Sequence, residues 1–220
     1  MSKKAIIGFI LIGLSLTKNM HAQNNLKDKT MEVKTVTVVK SKAPWYAFDF
    51  LIIKGFRKVN PVYQKVDGLE FKAYSINHNE SGKNFGGIYL WQNVQKAKSW
   101  YTPQWFEEVK KKRGVIPQVE YYDVISDISH LPENKNYEGM NTKSIAVFIH
   151  RLDKDTAKGL FLKQGFFFRG YLLNETDDKN GLILFFNSKA EAKSFIKLNK
   201  IAEFEWFKTP VMLNNKGQQL

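Results

Sequence analysis

The chain of 220 residues contains no cysteine. That absence excludes a disulfide framework, a thiol nucleophile and a lipid anchor attached through cysteine. The folded protein must therefore be held together by its apolar core, and a chain of this length can bury one as a single large domain or as two small ones.

Long apolar runs are also scarce. The one clear run, Ala5–Leu16, follows Lys3 and Lys4 and precedes a short polar stretch, which is the plan of a secretory signal peptide. We expect residues 1–22 to be removed after Ala22; an uncleaved N-terminal anchor is the alternative. No other run approaches the roughly 18 apolar residues of a membrane helix. The sequence thus predicts a periplasmic or secreted protein with no transmembrane segment after signal removal.

Acidic residues are few beside basic ones, and the formal net charge is +13. It falls to +10 without Lys3, Lys4 and Lys18. A basic balance can indicate nucleic acid or anionic surfaces, but the lysines are scattered. The dense run Lys110–Arg113 suits a helix C-terminus, where cations complement the helix dipole. We therefore expect no nucleic-acid partner.

The usual motifs of metal and cofactor sites are missing. His130 and His150 have no carboxylate or second histidine at ligand spacing. Gly86-Gly87 lies within a strand pattern and lacks the Lys-Ser/Thr that would follow in a phosphate loop, and no serine sits in a Gly-x-Ser-x-Gly elbow. The sequence predicts no metal site and no cofactor.

What the chain does have is a strand and helix pattern that occurs twice. Residues 23–43 are interpreted as a flexible leader and arm, with a short strand or extended segment at Thr35–Val39. The first unit spans 44–125, and its predicted elements are a buried strand Trp45–Ile53, a short helix Phe56–Lys65, strands Leu69–Asn77 and Phe85–Trp91, a helix from Asn93 that restarts at Thr102-Pro103 and ends at Gly114, and a strand near Val119–Ile125.

A linker is predicted over 126–143, and a second, degenerate unit over 144–213 precedes a tail at 214–220. Two β-α-β-β-α-β units favour the α+β class, as tandem ferredoxin-like repeats. The sheet of each unit is apolar on the face away from its helices as well. Packing the two sheets together would bury both faces, so we expect an intramolecular, pseudo-dimeric α/β barrel and a monomer.

One segment resembles a known family. Gly68-Leu69, then Gly86-Gly87-Ile88-Tyr89-Leu90-Trp91, a helix containing Tyr101, and Val119–Val124 are similar to the YdhR-like monooxygenases of the dimeric α/β-barrel superfamily, mainly over residues 45–125. The resemblance implies a cavity between sheet and helices that is lined by aromatic residues. It also implies oxygenation without metal or flavin, in which a phenol or anthrone-like ring loses a proton and its carbanion reduces dioxygen.

The residues that could form such a pocket are aromatic and lie on faces that should meet. On the strands and on the helix, the candidates for substrate binding are Tyr74, Gly87, Trp91, Tyr101 and Trp105, and the candidates for catalysis are His78 and Tyr89. Gly87 would leave space against the sheet. Each aromatic residue could instead be ordinary core, and His78 could be a solvated turn residue.

Three functions remain open from the sequence. The first is an exported protein that binds a small aromatic or apolar ligand, with possible cofactor-independent monooxygenase activity. The alternative is a non-catalytic envelope module for binding or interaction. The third is haem handling, for which a histidine in the pocket would be expected. An enzyme predicts a polar group inside the aromatic pocket, whereas a structural module predicts a pocket filled by its own side chains.

Overall fold

The computed structural model describes residues 32–80, 82–130, 143–163 and 165–215. The predicted signal peptide, most of the predicted linker and the end of the tail lie outside the described residues. The strands are β1 (Thr35–Lys42), β2 (Leu69–Asn79), β3 (Gly82–Trp91), β4 (Gln118–Ser129), β5 (Ile145–Asp153), β6 (Arg169–Asn174), β7 (Lys179–Phe186) and β8 (Glu205–Asn214). The helices are α1 (Asp49–Tyr63), α2 (Val94–Trp100), α3 (Pro103–Arg113), α4 (Lys154–Phe161) and α5 (Lys189–Leu198). None of these helices is long and apolar enough to cross a bilayer.

The eight strands close into one antiparallel barrel with the order β1-β3-β2-β8-β5-β7-β6-β4. Strands of the first half run in the order β4-β1-β3-β2 and those of the second half in the order β8-β5-β7-β6. The halves join where β2 pairs with β8 and β4 pairs with β6. Closure leaves no free sheet edge among these strands.

The barrel interior is filled by alternate side chains from every strand. Phe71 from the first half and Phe185 from the second meet edge to face in it, with ring centroids 5.6 Å apart. Arg169 is also buried there, and its guanidinium lies 4.1 Å from the ring centroid of Phe71. The opposite strand faces pack against the helices in three separate apolar clusters.

Side-chain caps set the starts of four helices. Asn93, Thr102, Asp153 and Ser188 each accept a hydrogen bond from the backbone N–H three residues later, as N-cap residues do. Pro103 follows Thr102 at the first helical position, and Gly114 ends α3 in the left-handed region at φ 78°. The predicted helix start at Asn93, the restart at Thr102-Pro103 and the end at Gly114 are confirmed.

The predicted strand at Trp45–Ile53 is wrong. Residues 45–48 form a turn and a short connection, and α1 begins at Asp49 and runs through Gly55 and Pro61. The run is apolar but is not buried on two faces: Trp45 is 95% exposed, and Phe48 and Phe50 are exposed as well. The first strand is instead the segment predicted as a short strand or arm, extended to Lys42. It lies inside the range 23–43 that we interpreted as leader.

The end of β4 also differs from the prediction. The strand continues to Ser129, into residues predicted as linker, because Ser126, Asp127 and Ile128 pair with β6. This pairing depends on the second half of the chain, so residues near β4 carry no local sign of it.

Candidate functional site

The outer faces of β2 and β3 carry the candidate site. Phe71 and Ala73 point into the barrel. Side chains alternate along a strand, so Lys72 and Tyr74 point the other way, towards the helices. In the register of the two strands, Lys72 stands opposite Tyr89 and Tyr74 stands opposite Gly87. The sequence alternation therefore places one lysine in the middle of an otherwise apolar surface.

Three tyrosine rings surround the Lys72 amine, and we call this group the tyrosine cage. Its Nζ lies 2.8 Å from the ring centroid of Tyr63, 3.9 Å from that of Tyr74 and 4.5 Å from that of Tyr89. Tyr63 comes from the last turn of α1 and packs edge to face on Tyr74 at 5.9 Å. The cage is thus closed by α1 on one side and by the sheet on the other.

Lys72 is 1% exposed. No carboxylate forms an ion pair with it in the described part of the chain, and the charged group that acts on it is Arg113. Burial first, and the Arg113 guanidinium second, hold the pKa of Lys72 well below its usual range. The structure therefore contains a buried amine that favours its uncharged form, which has a lone pair to accept a proton.

A chain of hydroxyl groups continues from the cage. Side-chain hydrogen bonds join Tyr63 to Tyr89 and Tyr89 to Tyr101. The Tyr101 hydroxyl lies 3.1 Å from Thr37 Oγ1, which also accepts a hydrogen bond of 2.9 Å from Trp91 Nε1. Burial raises the pKa of Tyr63, Tyr89 and Tyr101, so these phenols stay protonated at neutral pH.

Two buried polar atoms in this region have no hydrogen-bond partner among the described residues, the Tyr74 hydroxyl and Trp100 Nε1. Trp100 packs on Tyr63 with ring centroids 5.5 Å apart. Leaving a buried donor unpaired costs about 1–3 kcal/mol. A ligand with one polar group could recover part of that cost.

An apolar groove of about 350 Å³ opens beside the cage. We call it the α1 groove, and its walls include Leu51, Ile52, Val59 and Phe85. Phe56 also lines it, and the Phe56 ring packs 4.9 Å from that of Tyr74. Phe56 thus stands between the groove and the tyrosine cage, so a ligand in the groove reaches Lys72 only if this ring moves.

The structure brings most of the sequence candidates together. The Tyr89 and Trp91 rings stack at 6.0 Å, Tyr101 packs edge to face on both, and Trp105 packs on Tyr101 at 5.0 Å. Tyr74 lies in the cage next to this group. These rings occupy one another's faces and leave little room between them, so the open volume lies on the other side of the cage.

Gly87 and His78 differ from the others in their surroundings. A Cβ on Gly87 would lie 3.0 Å from the Ala73 carbonyl oxygen and 3.0 Å from the Tyr89 ring, so this glycine permits close packing of the Tyr89 side chain rather than an empty space. His78 is exposed near the end of β2 and pairs in register with Lys83 at the β2–β3 turn. The structure does not place it in the tyrosine cage.

Lys72 was missed in the sequence analysis. A signal was present, because Lys72 is in phase with Tyr74 and Ile76 on a strand whose other face is apolar. A lysine inside such a pattern is unusual, because lysine is rarely fully buried, and β2 is not an edge strand since it is paired on both sides.

A second polar cluster was also missed. His150 Nδ1 lies 2.7 Å from Glu175 Oε1 and His150 Nε2 lies 3.2 Å from Glu205 Oε1. Lys40 Nζ lies 2.9 Å from the same Glu205 oxygen. Lys40, His150 and Glu205 each lie two positions along their strand from an interior residue, namely Val38, Phe148 and Phe207. Their side chains therefore point inward as well and close one end of the barrel. Their separation along the chain, up to 165 residues, hides the cluster from sequence spacing.

No family model and no curated protein matches the chain. Among solved structures, the chain is similar to a protein from Fusobacterium nucleatum described as a putative monooxygenase, with 12% identity and a TM-score of 0.59, over 84% of this chain and 96% of that one. A protein from Lactobacillus acidophilus with the same description has 9% identity and a TM-score of 0.53, over 84% and 97%. At such low identity the likeness shows the fold alone, a monooxygenase-like α/β barrel.

Proposed function

We propose that the protein binds a small aromatic or apolar compound in the α1 groove and oxygenates it without a metal or flavin. The observation that carries the proposal is the buried amine of Lys72, whose pKa is lowered by burial and which lies against Tyr74, the ring on which the groove residue Phe56 packs. A volume of about 350 Å³ lies within the range of small-molecule sites. The fold shared with proteins described as monooxygenases is compatible with this chemistry.

The role of Lys72 in this reaction is to accept a proton. When the Phe56 ring moves aside, the phenol or activated methylene of the ligand gives its proton to the amine, and the resulting anion passes an electron to dioxygen. For an anthrone-like ring, the methylene carbon loses two hydrogens and gains one oxygen atom, and the second oxygen leaves as water. The phenol of Tyr89 donates a hydrogen bond to the anion, which keeps the catalytic role proposed for it from the sequence.

The first experiment compares binding and turnover in matched variants. Anthrone and 2-naphthol are titrated against tryptophan fluorescence, and oxygen uptake is followed with an electrode. Lys72→Met is expected to retain binding within about threefold and to lose oxygen uptake, because it keeps the apolar volume and removes the base. Lys65→Met, which changes an exposed lysine, is the control and should behave as the wild type.

His78→Gln decides between the two candidate bases. Unchanged oxygen uptake in this variant supports Lys72, whereas loss of uptake in His78→Gln but not in Lys72→Met would assign the base to His78. If anthrone and 2-naphthol bind but no variant or wild-type protein consumes oxygen, the oxygenase proposal fails.

A non-catalytic binding module is the second candidate function. It is favoured by the exposed aromatic residues Trp45, Tyr46, Phe48 and Phe50 before and at the start of α1, which form an apolar surface suited to contact with a partner. Ligand binding without oxygen uptake, together with retention of a compound in a native mass spectrum, would support it.

The proposal includes finer points about the whole chain. The two halves are tandem ferredoxin-like repeats that form an internal pseudo-dimer, and the first is YdhR-like. The mature chain is exported after cleavage at Ala22 and acts as a periplasmic or secreted monomer. N-terminal mass mapping of the protein from its own envelope fraction tests the export, since an intact Met1 would contradict it.

A further inference from the structure

Two cavities share part of their lining. One is the α1 groove, and the other, of about 660 Å³, is lined by residues that include Lys42, Trp45, Lys83 and Arg113. We call the second one the cationic cavity. Pro44 and Arg113 line both, so the two spaces meet at these residues and one molecule can extend through both.

The cations of this cavity are not equivalent. Lys83 is already held by Asp49 Oδ1 at 2.8 Å and by the Ala47 carbonyl oxygen at 2.9 Å. Lys42 and Arg113 are exposed, and neither forms an ion pair with a carboxylate of the described residues. The cavity therefore has two positive side chains that have no ion-pair partner among the described residues.

Arg113 stands at the boundary between the two spaces. Its guanidinium carbon lies 4.6 Å from the ring centroid of Phe85, a wall of the α1 groove. A planar guanidinium that stacks on an aromatic ring keeps N–H groups free at its edge, where they can bind a carboxylate or phosphate through two hydrogen bonds. The helix dipole places about half a negative charge at the C-terminus of α3, which disfavours a nearby anion. Four cationic residues, Lys110–Arg113, lie in the same last turn and counter that charge.

We propose that the ligand of the α1 groove is an anionic amphiphile, whose carboxylate, sulfonate or phosphate binds Arg113 and Lys42 in the cationic cavity while its apolar body enters the groove. This inference rests on the proposed ligand-binding function and specifies the chemical class of the ligand. Either an aromatic ring or an alkyl chain satisfies the apolar part, and the experiment separates the two.

The experiment measures the preference of the full-length mature protein for a charged over an uncharged head group. Isothermal titration calorimetry compares naphthalene-2-carboxylate with naphthalene-2-carboxamide, and decanoate with decanamide. The carboxylate of at least one pair is expected to bind at least tenfold more tightly than its amide. Of the two carboxylates, the one that binds more tightly identifies the apolar body. The preference should weaken as salt rises from 50 to 500 mM, because salt screens an exposed ion pair.

Arg113→Gln is expected to weaken carboxylate binding about tenfold and to leave amide binding unchanged. Arg57→Gln is the matched control, since it removes one exposed arginine of α1 that does not line either cavity. Arg113→Lys keeps the charge but not the two-pronged geometry and should recover part of the loss. Far-ultraviolet circular dichroism and thermal melting verify that each variant is folded.

Equal binding of carboxylate and amide, or equal effects of Arg113→Gln and Arg57→Gln, overturns this inference and leaves the proposed function intact. Binding of none of the four compounds, nor of 2-naphthol and anthrone, overturns both.

Discussion

Lys72 is a buried amine subject to two opposing effects. Three aromatic faces within 4.5 Å favour the charged form by about 2 kcal/mol or more in a desolvated site. Removing a charge from water without a counter-ion costs several kcal/mol, and the positive Arg113 adds to that cost. The cost of burial exceeds the attraction of the rings, so the pKa of Lys72 falls well below its usual value.

Replacing Lys72 by methionine tests this balance through stability. In the unfolded chain the amine is protonated below its ordinary pKa of 10.5, whereas in the folded protein its pKa is much lower. The wild-type protein therefore gains stability as pH rises towards 10.5. Lys72→Met should increase the free energy of unfolding at pH 7, and the increase should shrink by pH 10. Urea unfolding at several pH values measures it, with Lys65→Met as control; a pH-independent difference would mean that Lys72 is charged in the folded state.

His150 makes the stability of the fold depend on pH in the opposite direction. Burial alone would lower its pKa, but hydrogen bonds from its ring to Glu175 and Glu205 outweigh burial and raise the pKa to about 9. The folded state therefore binds this proton more tightly than the unfolded chain, whose histidine titrates near 6.5. The stability that it contributes is complete below pH 6.5 and is lost as pH rises through 9.

His150→Gln should thus destabilise the protein most at pH 6 and progressively less between pH 6.5 and 9. The difference in the free energy of unfolding, measured by urea titration across this range, provides the test. An NMR titration of the His150 ring protons in the wild type gives the pKa directly. A midpoint near 6.5 would contradict the ion-pair network.

At the scale of the element, glycines differ in whether the neighbouring backbone leaves room for a side chain. Gly86 lies in β3 opposite Lys40 of β1, and a Cβ there would lie 1.9 Å from the Val39 carbonyl oxygen. Gly55 lies inside α1, and a Cβ there would meet no atom within 4 Å. The two glycines therefore have opposite structural requirements.

Gly86→Ala and Gly55→Ala form a matched pair. Gly86→Ala should lower the free energy of unfolding by about 3 kcal/mol or more, because the β1–β3 ladder must separate to admit the methyl group. Gly55→Ala should raise it by about 0.5–1 kcal/mol, because alanine reduces the freedom of the unfolded chain and favours the helix. Chemical denaturation measures both. Similar values for the two variants would contradict the packing described for β1 and β3.

At the scale of the whole molecule, the barrel interior is shared by both halves. Neither half can bury its inner sheet face alone, because Phe71 contacts Phe185 and Tyr122 contacts Phe148 across the interior, with ring centroids 5.6 Å and 5.2 Å apart. The site between α1 and β2 lies in the first half, but β2 also pairs with β8 of the second half. The position of Lys72 thus depends on closure of the barrel.

Phe185→Ala tests whether the halves unfold together. Removing a buried phenyl ring costs about 3–5 kcal/mol. If unfolding is cooperative, the most protected amides of β2 and β3 should lose the same free energy of protection as those of β7 in native-state hydrogen exchange. Leu198→Ala, which changes an exposed side chain of α5, is the control. Retained protection in β2 and β3 would show that the first half is stable by itself.

The sequence by itself determined the features that depend on neighbouring residues. Helix starts at Asn93, Thr102, Asp153 and Ser188 need only a side chain and an N–H three residues later, and strands such as β3 and β7 follow from their apolar composition and alternation. The double-unit pattern and the need to bury two apolar sheet faces likewise predicted an α/β barrel. Local chemistry was sufficient for these features.

Tertiary structure alone decided the rest. The run Trp45–Ile53 is apolar enough for a buried strand, but β1 already occupies the place between β3 and β4, so the run forms a turn and the start of α1. Lys72 gains its cage from Tyr63 and Tyr89, and His150 gains its carboxylates from residues 25 and 55 positions away. Which side chains surround a buried residue or pair with a charge depends on which surfaces meet when the barrel closes, and local alternation does not identify those partners.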